Sequence, residues 1–206
     1  MQNTTLSSIV LLAGNSTRMG QLKQHVELAG QSFLHHIISR LKLQKTLERL
    51  IFVGQQTDVA ARNEVEAADG IWVSNPKPED GPLSSIRLAL GKIQPSSAVL
   101  LWPVDHPMIS AATVSQLIEI WQKKPDFITV PSDGQRRGHP GIYPAWCQRL
   151  FCEIPLEGGA RKIMQLHPGR IQYLMTDDPW ITRNLNTPES LQEATVYLAH
   201  QSKSAR

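Results

Sequence analysis

Two glycines, two hydroxyl groups and two basic side chains lie close together in residues 12–23, LAGNSTRMGQLK. A loop of this kind can turn backbone N–H groups toward an anion, while Arg18 and Lys23 neutralise its charge. The spacing departs from two known phosphate motifs, because Ser16 stands where a dinucleotide-binding loop needs a glycine and Met19 stands where a P-loop needs one. From the residues alone, the segment is either a phosphate-binding loop or a surface turn with solvated basic side chains.

A single carboxylate, Asp105, follows the most apolar predicted strand of the chain, 98–102. Mg²⁺ needs only one or two protein carboxylates when phosphate and water oxygens complete its coordination shell, so Asp105 is a candidate metal ligand. The alternative is an aspartate that closes a loop or caps the helix predicted from Ser110. The residue type and position are compatible with both.

Two further polar segments are candidates for ligand contacts. Asn75 begins a loop that leads to Ser84 and Ser85, whose hydroxyls could hold a base edge or a phosphate, although serines at a helix start are also ordinary caps. Farther along, His139 follows Arg136 and Arg137, and a lone histidine there is either an acceptor contact or a turn residue.

The elements that position these residues alternate along the chain. Apolar runs predict strands at 8–13, 50–53, 71–73, 98–102 and 127–130, and apolar positions three and four apart predict helices at 32–41, 57–68, 84–93 and 110–121. This alternation predicts an α/β fold, with a mostly parallel sheet covered on both faces. Beyond it we expect a turn at 133–134, a strand at 138–143, a helix at 145–151, a strand at 171–175 and a last helix capped by Thr187.

The composition excludes several classes of protein. The chain has 206 residues, of which 41% are hydrophobic, and a net charge of only +3 without runs of like charge, so we expect no nucleic-acid partner. No apolar stretch approaches the roughly 18 residues of a transmembrane helix, and residues 1–8 lack the basic start of a signal peptide. The two cysteines, Cys147 and Cys152, are interpreted as free thiols, and the expected location is cytoplasmic with no membrane partner.

The loop also resembles a known family. The string Leu12-Ala-Gly-x-Ser-x-Arg-Met-Gly-x-x-Lys23 is similar to the signature loop of the MobA and MocA type nucleotidyltransferases, which attach a nucleotide to molybdopterin. The resemblance runs from Leu11 to about Leu191. It implies one domain over 1–206, a Rossmann-like three-layer α/β/α sandwich of the nucleotide-diphospho-sugar transferase type. Its nucleotide-binding part would span about 6–131 and its acceptor-side part about 132–200.

The resemblance also implies residue roles. The catalytic groups would be Arg18, Lys23 and Asp105. Nucleotide binding would fall to Leu12, Ala13, Gly14, Ser16, Gly20, Asn75, Ser84 and Ser85. Acceptor binding would fall to His139 and Arg137. Magnesium would be held by Asp105 and by Asn186, an amide where many cytidylyltransferase-like members have an aspartate.

The features that distinguish the nucleotide donor are mixed. Gly138-His139-Pro140, Ser84-Ser85 and 158–161 resemble the cytidylyltransferase branch, whereas 81–83 and Asn186 resemble the guanylyltransferase branch. The resulting expectation is Mg²⁺-dependent transfer of a nucleotide from a nucleoside triphosphate, with CTP favoured over GTP, to molybdopterin with release of pyrophosphate. A molybdoenzyme or its chaperone would be a protein partner. The alternatives are a nucleotidyltransferase acting on a sugar 1-phosphate or another small phosphate, and a non-catalytic nucleotide-binding protein of the same fold.

Overall fold

The computed structural model describes residues 4–13, 20–156 and 159–204, which form one large sheet, one small hairpin and seven α-helices. The strands are β1 (Leu6–Leu11), β2 (Glu27–Leu28), β3 (Gln31–Ser32), β4 (Leu47–Gln55), β5 (Ile71–Asn75), β6 (Ala98–Pro103), β7 (Ile128–Ser132), β8 (Gly141–Tyr143) and β9 (Ile171–Met175). The helices are α1 (Phe33–Lys42), α2 (Val59–Ala67), α3 (Pro82–Leu90), α4 (Ala111–Lys123), α5 (Trp146–Glu153), α6 (Gly159–Leu166) and α7 (Pro188–Ser204). All five strands and four helices predicted before residue 131 are present.

The large sheet is parallel except for one strand. Its order is β5-β4-β1-β6-β8-β7-β9, and β8 pairs antiparallel with both β6 and β7. The remaining neighbouring pairs, β5-β4, β4-β1, β1-β6 and β7-β9, are parallel. The carboxyl ends of β1, β6 and β7 and the start of β8 therefore lie at the same edge of the sheet, where parallel α/β sheets bind their ligands.

Helices cover both faces of the sheet, which confirms the predicted three-layer α/β/α arrangement. Alternate residues of β6 point to opposite faces: Leu100 and Trp102 join one core, while Val99 and Leu101 join the other. The first core contains buried residues of α1, α2, α4 and α7, and the second contains those of α3, α5 and α6.

Side chains cap three of the first four helices. The side chains of Ser32, Asp58 and Ser110 accept backbone N–H groups at the starts of α1, α2 and α4. Helix α3 differs, because it begins at Pro82 after Gly81, whose φ of +83° lies in the left-handed region that favours glycine. Ser84 and Ser85 therefore lie inside the first turn and are not its caps.

Two further features carry no signal in the sequence. His36 lies on α1 but is buried, and its Nε2 donates a 2.8 Å hydrogen bond to Leu28 O. Helix α6 was not predicted, and it packs with α5 against α3. Within the described part of the chain, no helix is both long and apolar enough to cross a membrane.

Candidate active site

A cleft of about 1180 Å³ opens at the carboxyl ends of the central strands. Segments from both parts of the chain line it: the residues after β1 and β6, the start of α3, the loop before β8 and the start of α6. Among the predicted site residues, those that line it are Leu12, Ala13, Lys23, Ser85, Asp105, Arg137 and His139. Gly14, Ser16 and Arg18 lie outside the described residues.

Three predicted site residues meet at the wall of this cleft, which Lys23 and Asp105 line and Asn186 does not. The ammonium group of Lys23 donates to Asp105 Oδ2 at 3.2 Å and to Asn186 Oδ1. Lys23 begins a 3-10 turn, Asp105 follows β6 and Asn186 precedes α7, so distant parts of the chain converge here. We call these three residues the Lys23 cluster.

The segments that carry Asp105 and Asn186 are held from behind by backbone hydrogen bonds. Val104 N donates to Leu11 O at 3.1 Å, which fixes the chain leaving β6 against the end of β1. Leu185 N donates to Asp105 O at 2.8 Å, which joins the segment carrying Asn186 to the segment carrying Asp105. The two oxygen donors are therefore held at a fixed spacing.

Lys23 is anchored through the two residues that follow it. Gln24 Nε2 and His25 Nε2 donate to the carboxylate of Asp58 at 2.5 and 2.8 Å. The same carboxylate accepts Ala61 N at the start of α2. Asp58 therefore connects the turn that carries Lys23 to the sheet-covering helix, a contact that no motif in the sequence indicates.

The donors of the Lys23 cluster are of the kind that a hard cation prefers. No group of three or more His, Cys, Asp or Glu side chains suitable for a metal occurs among the described residues. A carboxylate oxygen and an amide oxygen nevertheless converge on one cationic group, the Lys23 ammonium. Oxygen ligands and a small number of carboxylates fit Mg²⁺ bound together with phosphates, so the residues present fit this ion.

Two histidines stack beside Asp105. The ring centroids of His106 and His139 are 4.7 Å apart, and His106 Nε2 lies 3.9 Å from Asp105 Oδ1. Burial and the neighbouring His106 lower the pKa of His139 to about 4, and burial also lowers the pKa of His106. Both rings are therefore neutral at pH 7. No motif marks His106 in the sequence, although it directly follows the candidate metal ligand.

The wall of the cleft formed by the chain after residue 131, which the resemblance predicts to face the acceptor, carries three arginines. We call this wall the acceptor side and the opposite wall, predicted to face the nucleotide, the nucleotide side. Arg137 lies over the Tyr173 ring at 5.5 Å, and Arg136 pairs with Asp133 at 3.3 Å. Arg161 lies at the start of α6 and lines the cleft. Tyr143 on β8 also lines it, and burial raises the pKa of this phenol far above its ordinary value. Arg161 and Tyr143 show how α6 and the reversed strand contribute to this side.

On the nucleotide side, Asn75 organises the start of α3. Its Nδ2 donates to the hydroxyls of Ser84 and Ser85, each at 2.9 Å, and its Oδ1 accepts Lys77 N at 2.9 Å. Asn75 and Ser84 do not line the cleft, whereas Ser85 does. Gly20, at the other end of the first loop, is exposed with a φ of +67°.

With this geometry in place, the chain can be compared with known proteins. Residues 8–172 match the family described as MobA-like NTP transferase domain. The chain belongs to this family. The resemblance found in the first loop is thereby confirmed, and the protein is a nucleotidyltransferase by class.

The family member is similar to several characterised sequences and structures. A molybdenum cofactor guanylyltransferase from Rhizobium leguminosarum bv. trifolii is 28% identical over 211 residues, which cover 94% of this chain and 93% of that protein. Two crystal structures of Rv0371c from Mycobacterium tuberculosis, one of them a complex with manganese, have TM-scores of 0.76 and 0.75. They are 21% and 20% identical and cover 94% of this chain and 99% of theirs, so they show the shared fold.

Proposed function

We propose that this protein transfers a guanylyl group from GTP to molybdopterin, with Mg²⁺ as cofactor and pyrophosphate as the leaving product. The observation that carries the proposal is the Lys23 cluster, in which an ammonium, a carboxylate and an amide oxygen meet in the cleft of a MobA-like NTP transferase domain. A triphosphate needs a basic group, a metal ligand and a bounded cleft, and this part of the molecule supplies all three.

GTP replaces CTP as the favoured donor for three reasons. The curated relative described above is named a guanylyltransferase. In addition, Ser84 and Ser85, which favoured CTP in the sequence, both accept hydrogen bonds from Asn75 and so have a structural role. Asn186, a guanylyltransferase-like feature, contacts Lys23. His139, a cytidylyltransferase-like feature, also lines the cleft, so the name of the relative and the contact of Asn186 carry the preference for GTP.

Asp105 and Asn186 would hold Mg²⁺. The bound ion supplies charge neutralisation and orientation of the phosphate oxygens. Lys23, together with Arg18 of the first loop, neutralises the negative charge that develops on the triphosphate as its α–β bond breaks. Leu12, Ala13, Gly14, Ser16, Gly20 and Ser85 would surround the nucleotide, and Asn75 and Ser84 would fix the start of α3 behind it.

The acceptor attacks as an oxygen of its own terminal phosphate, so no general base is required. A bond forms between this oxygen and the α-phosphorus of GTP, the bond from that phosphorus to the bridging oxygen breaks, and pyrophosphate leaves. Arg137 would bind the acceptor phosphate, and neutral His139 would add a hydrogen bond without a charge. A molybdoenzyme or its chaperone would receive the product.

Ligand-induced stabilisation tests the donor directly. We expect GTP with Mg²⁺ to raise the melting temperature more than CTP, ATP or UTP, because a ligand at 100 Kd adds about 2.7 kcal/mol of apparent stability. Lys23→Ala is the matched variant, and it should lose most of the response. If all four nucleotides leave the melting temperature unchanged, the proposal fails.

A product assay separates the alternatives. Incubation with GTP, Mg²⁺ and molybdopterin should release pyrophosphate, and a panel of sugar 1-phosphates should not. Nucleotide binding without pyrophosphate release from any acceptor would identify a non-catalytic binding protein instead. Release with a sugar phosphate alone would move the acceptor assignment to that class.

A further inference from the structure

The segment between β9 and α7, residues 176–187, has no helix or strand of its own and nevertheless supports the site at four points. Trp180 O accepts from His106 Nδ1 at 3.4 Å, and Ile181 O accepts from His139 N at 2.8 Å. Leu185 N donates to Asp105 O, and Asn186 contacts Lys23. We call residues 178–186 the strap. A segment without regular structure keeps its place only through such contacts, so its anchor matters.

Asp178 anchors the strap at its start. Its Oδ2 accepts Ser110 N at 3.0 Å and Thr113 Oγ1 at 2.7 Å, both at the start of α4. Its Oδ1 accepts Trp180 N at 3.0 Å. Three donors therefore share one carboxylate, which holds the strap against the helix that follows the Asp105 loop.

The position of this anchor links both oxygen donors of the Lys23 cluster. Ser110 lies five residues after Asp105, and Asn186 lies eight residues after Asp178. The Asp178 carboxylate bonds to both segments, so it fixes one relative to the other. The strap also has no room to slide inward, because a Cβ on Gly138 would lie only 2.6 Å from Ile181 O.

We propose that Asp178 is a positioning residue that sets the spacing of Asp105 and Asn186 around Lys23. It acts through the strap and the start of α4 and does not itself line the cleft. The expected change in kcat rests on the proposed function. The expected change in the placement of Lys23 does not depend on that function, and a separate assay measures it.

Asp178→Asn is the most direct test, because it keeps the size of the side chain. An amide has one acceptor oxygen, so it cannot serve the donors of both α4 and Trp180. We expect kcat to fall by about tenfold to a hundredfold, the range produced by small misplacements of catalytic groups, with little change in the KM for nucleotide. Because its contact with Asn186 is weakened, Lys23 should also react several-fold faster with an acylating reagent, as measured by mass spectrometry against exposed Lys92.

Two controls separate positioning from stability. Asp177→Asn changes the neighbouring exposed carboxylate and should match the wild type in both assays. Ser110→Ala removes the side-chain cap of α4 but keeps the backbone N–H that Asp178 accepts, so it should lower the melting temperature while kcat and Lys23 reactivity stay unchanged. Thr113→Val removes one donor to Asp178 and should shift both readouts in the same direction by less.

Each outcome of these assays supports or contradicts the positioning role of Asp178. If Asp178→Asn leaves kcat and Lys23 reactivity at wild-type values, or if Ser110→Ala changes both to the same extent, Asp178 has no positioning role. If Asp178→Asn does not fold, Thr113→Val decides in its place. If the wild type transfers no nucleotide to any acceptor, the proposed function fails while the acylation assay still tests the strap.

Discussion

The two sides of the cleft are built in different ways. On the nucleotide side, Leu12 and Ala13 directly follow β1, and Ser85 lies within α3. On the acceptor side, His139 and Asn186 lie in coil segments that individual hydrogen bonds hold in place. Packing in a regular element fixes many atoms at once, whereas a coil segment depends on each contact. We therefore expect nucleotide-side substitutions to affect stability and nucleotide binding, and acceptor-side substitutions to affect turnover.

The largest effect is expected at Asp105, where the two sides meet. Asp105→Asn removes the charge that faces the Lys23 ammonium, and turnover should fall by about a hundredfold or more, as when a single charge-stabilising group is lost from an active site. The melting temperature should change little. Steady-state kinetics at saturating Mg²⁺ measure the effect, and exposed Asp126→Asn is the control. Near-full activity of Asp105→Asn would remove the metal assignment.

Gly138→Ala tests the dependence of the acceptor side on the strap. The added Cβ would lie 2.6 Å from Ile181 O and 2.7 Å from Ile181 Cβ, so the strap must move. We expect a loss of stability of up to about 3 kcal/mol, the cost of overpacking, together with reduced turnover. Gly169→Ala places the same methyl group in open space and should change neither. Chemical denaturation and kinetics measure both quantities, and unchanged turnover in a folded Gly138→Ala would contradict the comparison.

Asn75→Ala is the matching test on the nucleotide side. It removes three hydrogen bonds at the start of α3 and leaves polar groups there without partners, which should cost about 2 kcal/mol. Because Ser85 lines the cleft, the KM for nucleotide should rise while kcat stays within a small factor of the wild type. A fall in kcat at unchanged KM would show that the two sides respond alike.

The smallest effect at pH 7 is expected for His139, whose influence on stability appears only on acidification. The pKa of His139 is about 4 in the folded chain and near 6.5 when unfolded, so the unfolded state binds more protons between these values. Stability is then fully present above pH 6.5 and decreases as the pH falls toward 4, by at most about 1.4 kcal/mol per pH unit for one proton. Denaturation midpoints of the wild type and His139→Gln measure this slope, which should be shallower in the variant. A residual slope is expected, because burial also lowers the pKa of His106 and His36.

The sequence predicts the nucleotide side of this molecule better than the acceptor side, for a physical reason. Apolar runs and periodicity indicate local burial, and cap residues mark helix starts. These signals placed β1, β6 and α4 correctly. The antiparallel direction of β8 is defined by its pairing with β6 and β7 and not by its own residues. All three of those residues are buried, so they show no alternation of buried and exposed positions. Helix α6 is amphipathic, with Ile163 and Met164 buried, but it is short and the glycines at 158–159 do not favour a helix there.

The same distinction applies to the site. The residue pattern left the roles of Lys23 and Asp105 open, and only the resemblance to the family assigned them, together with Asn186, to one site. Asp178 was not predictable, since a carboxylate that accepts three hydrogen bonds within the fold has the same sequence appearance as its exposed neighbour Asp177. The preference for CTP rested partly on Ser84 and Ser85. The sequence does not show that Asn75 holds both of their hydroxyls.

The direction of β8 also decides whether an even or an odd number of segments crosses the sheet before the next strand. Between two parallel strands the chain must return from the carboxyl edge of the sheet to the amino edge, and one helix is enough for that. β8 ends at the same edge of the sheet at which β9 begins. The chain between these two strands therefore runs from one edge of the sheet to the other an even number of times. Helices α5 and α6 are those two crossings, and the turn between them brings the start of α6, with Arg161, to the cleft. The antiparallel direction of β8 therefore brings a helix start and a positive charge to the wall that would face the acceptor.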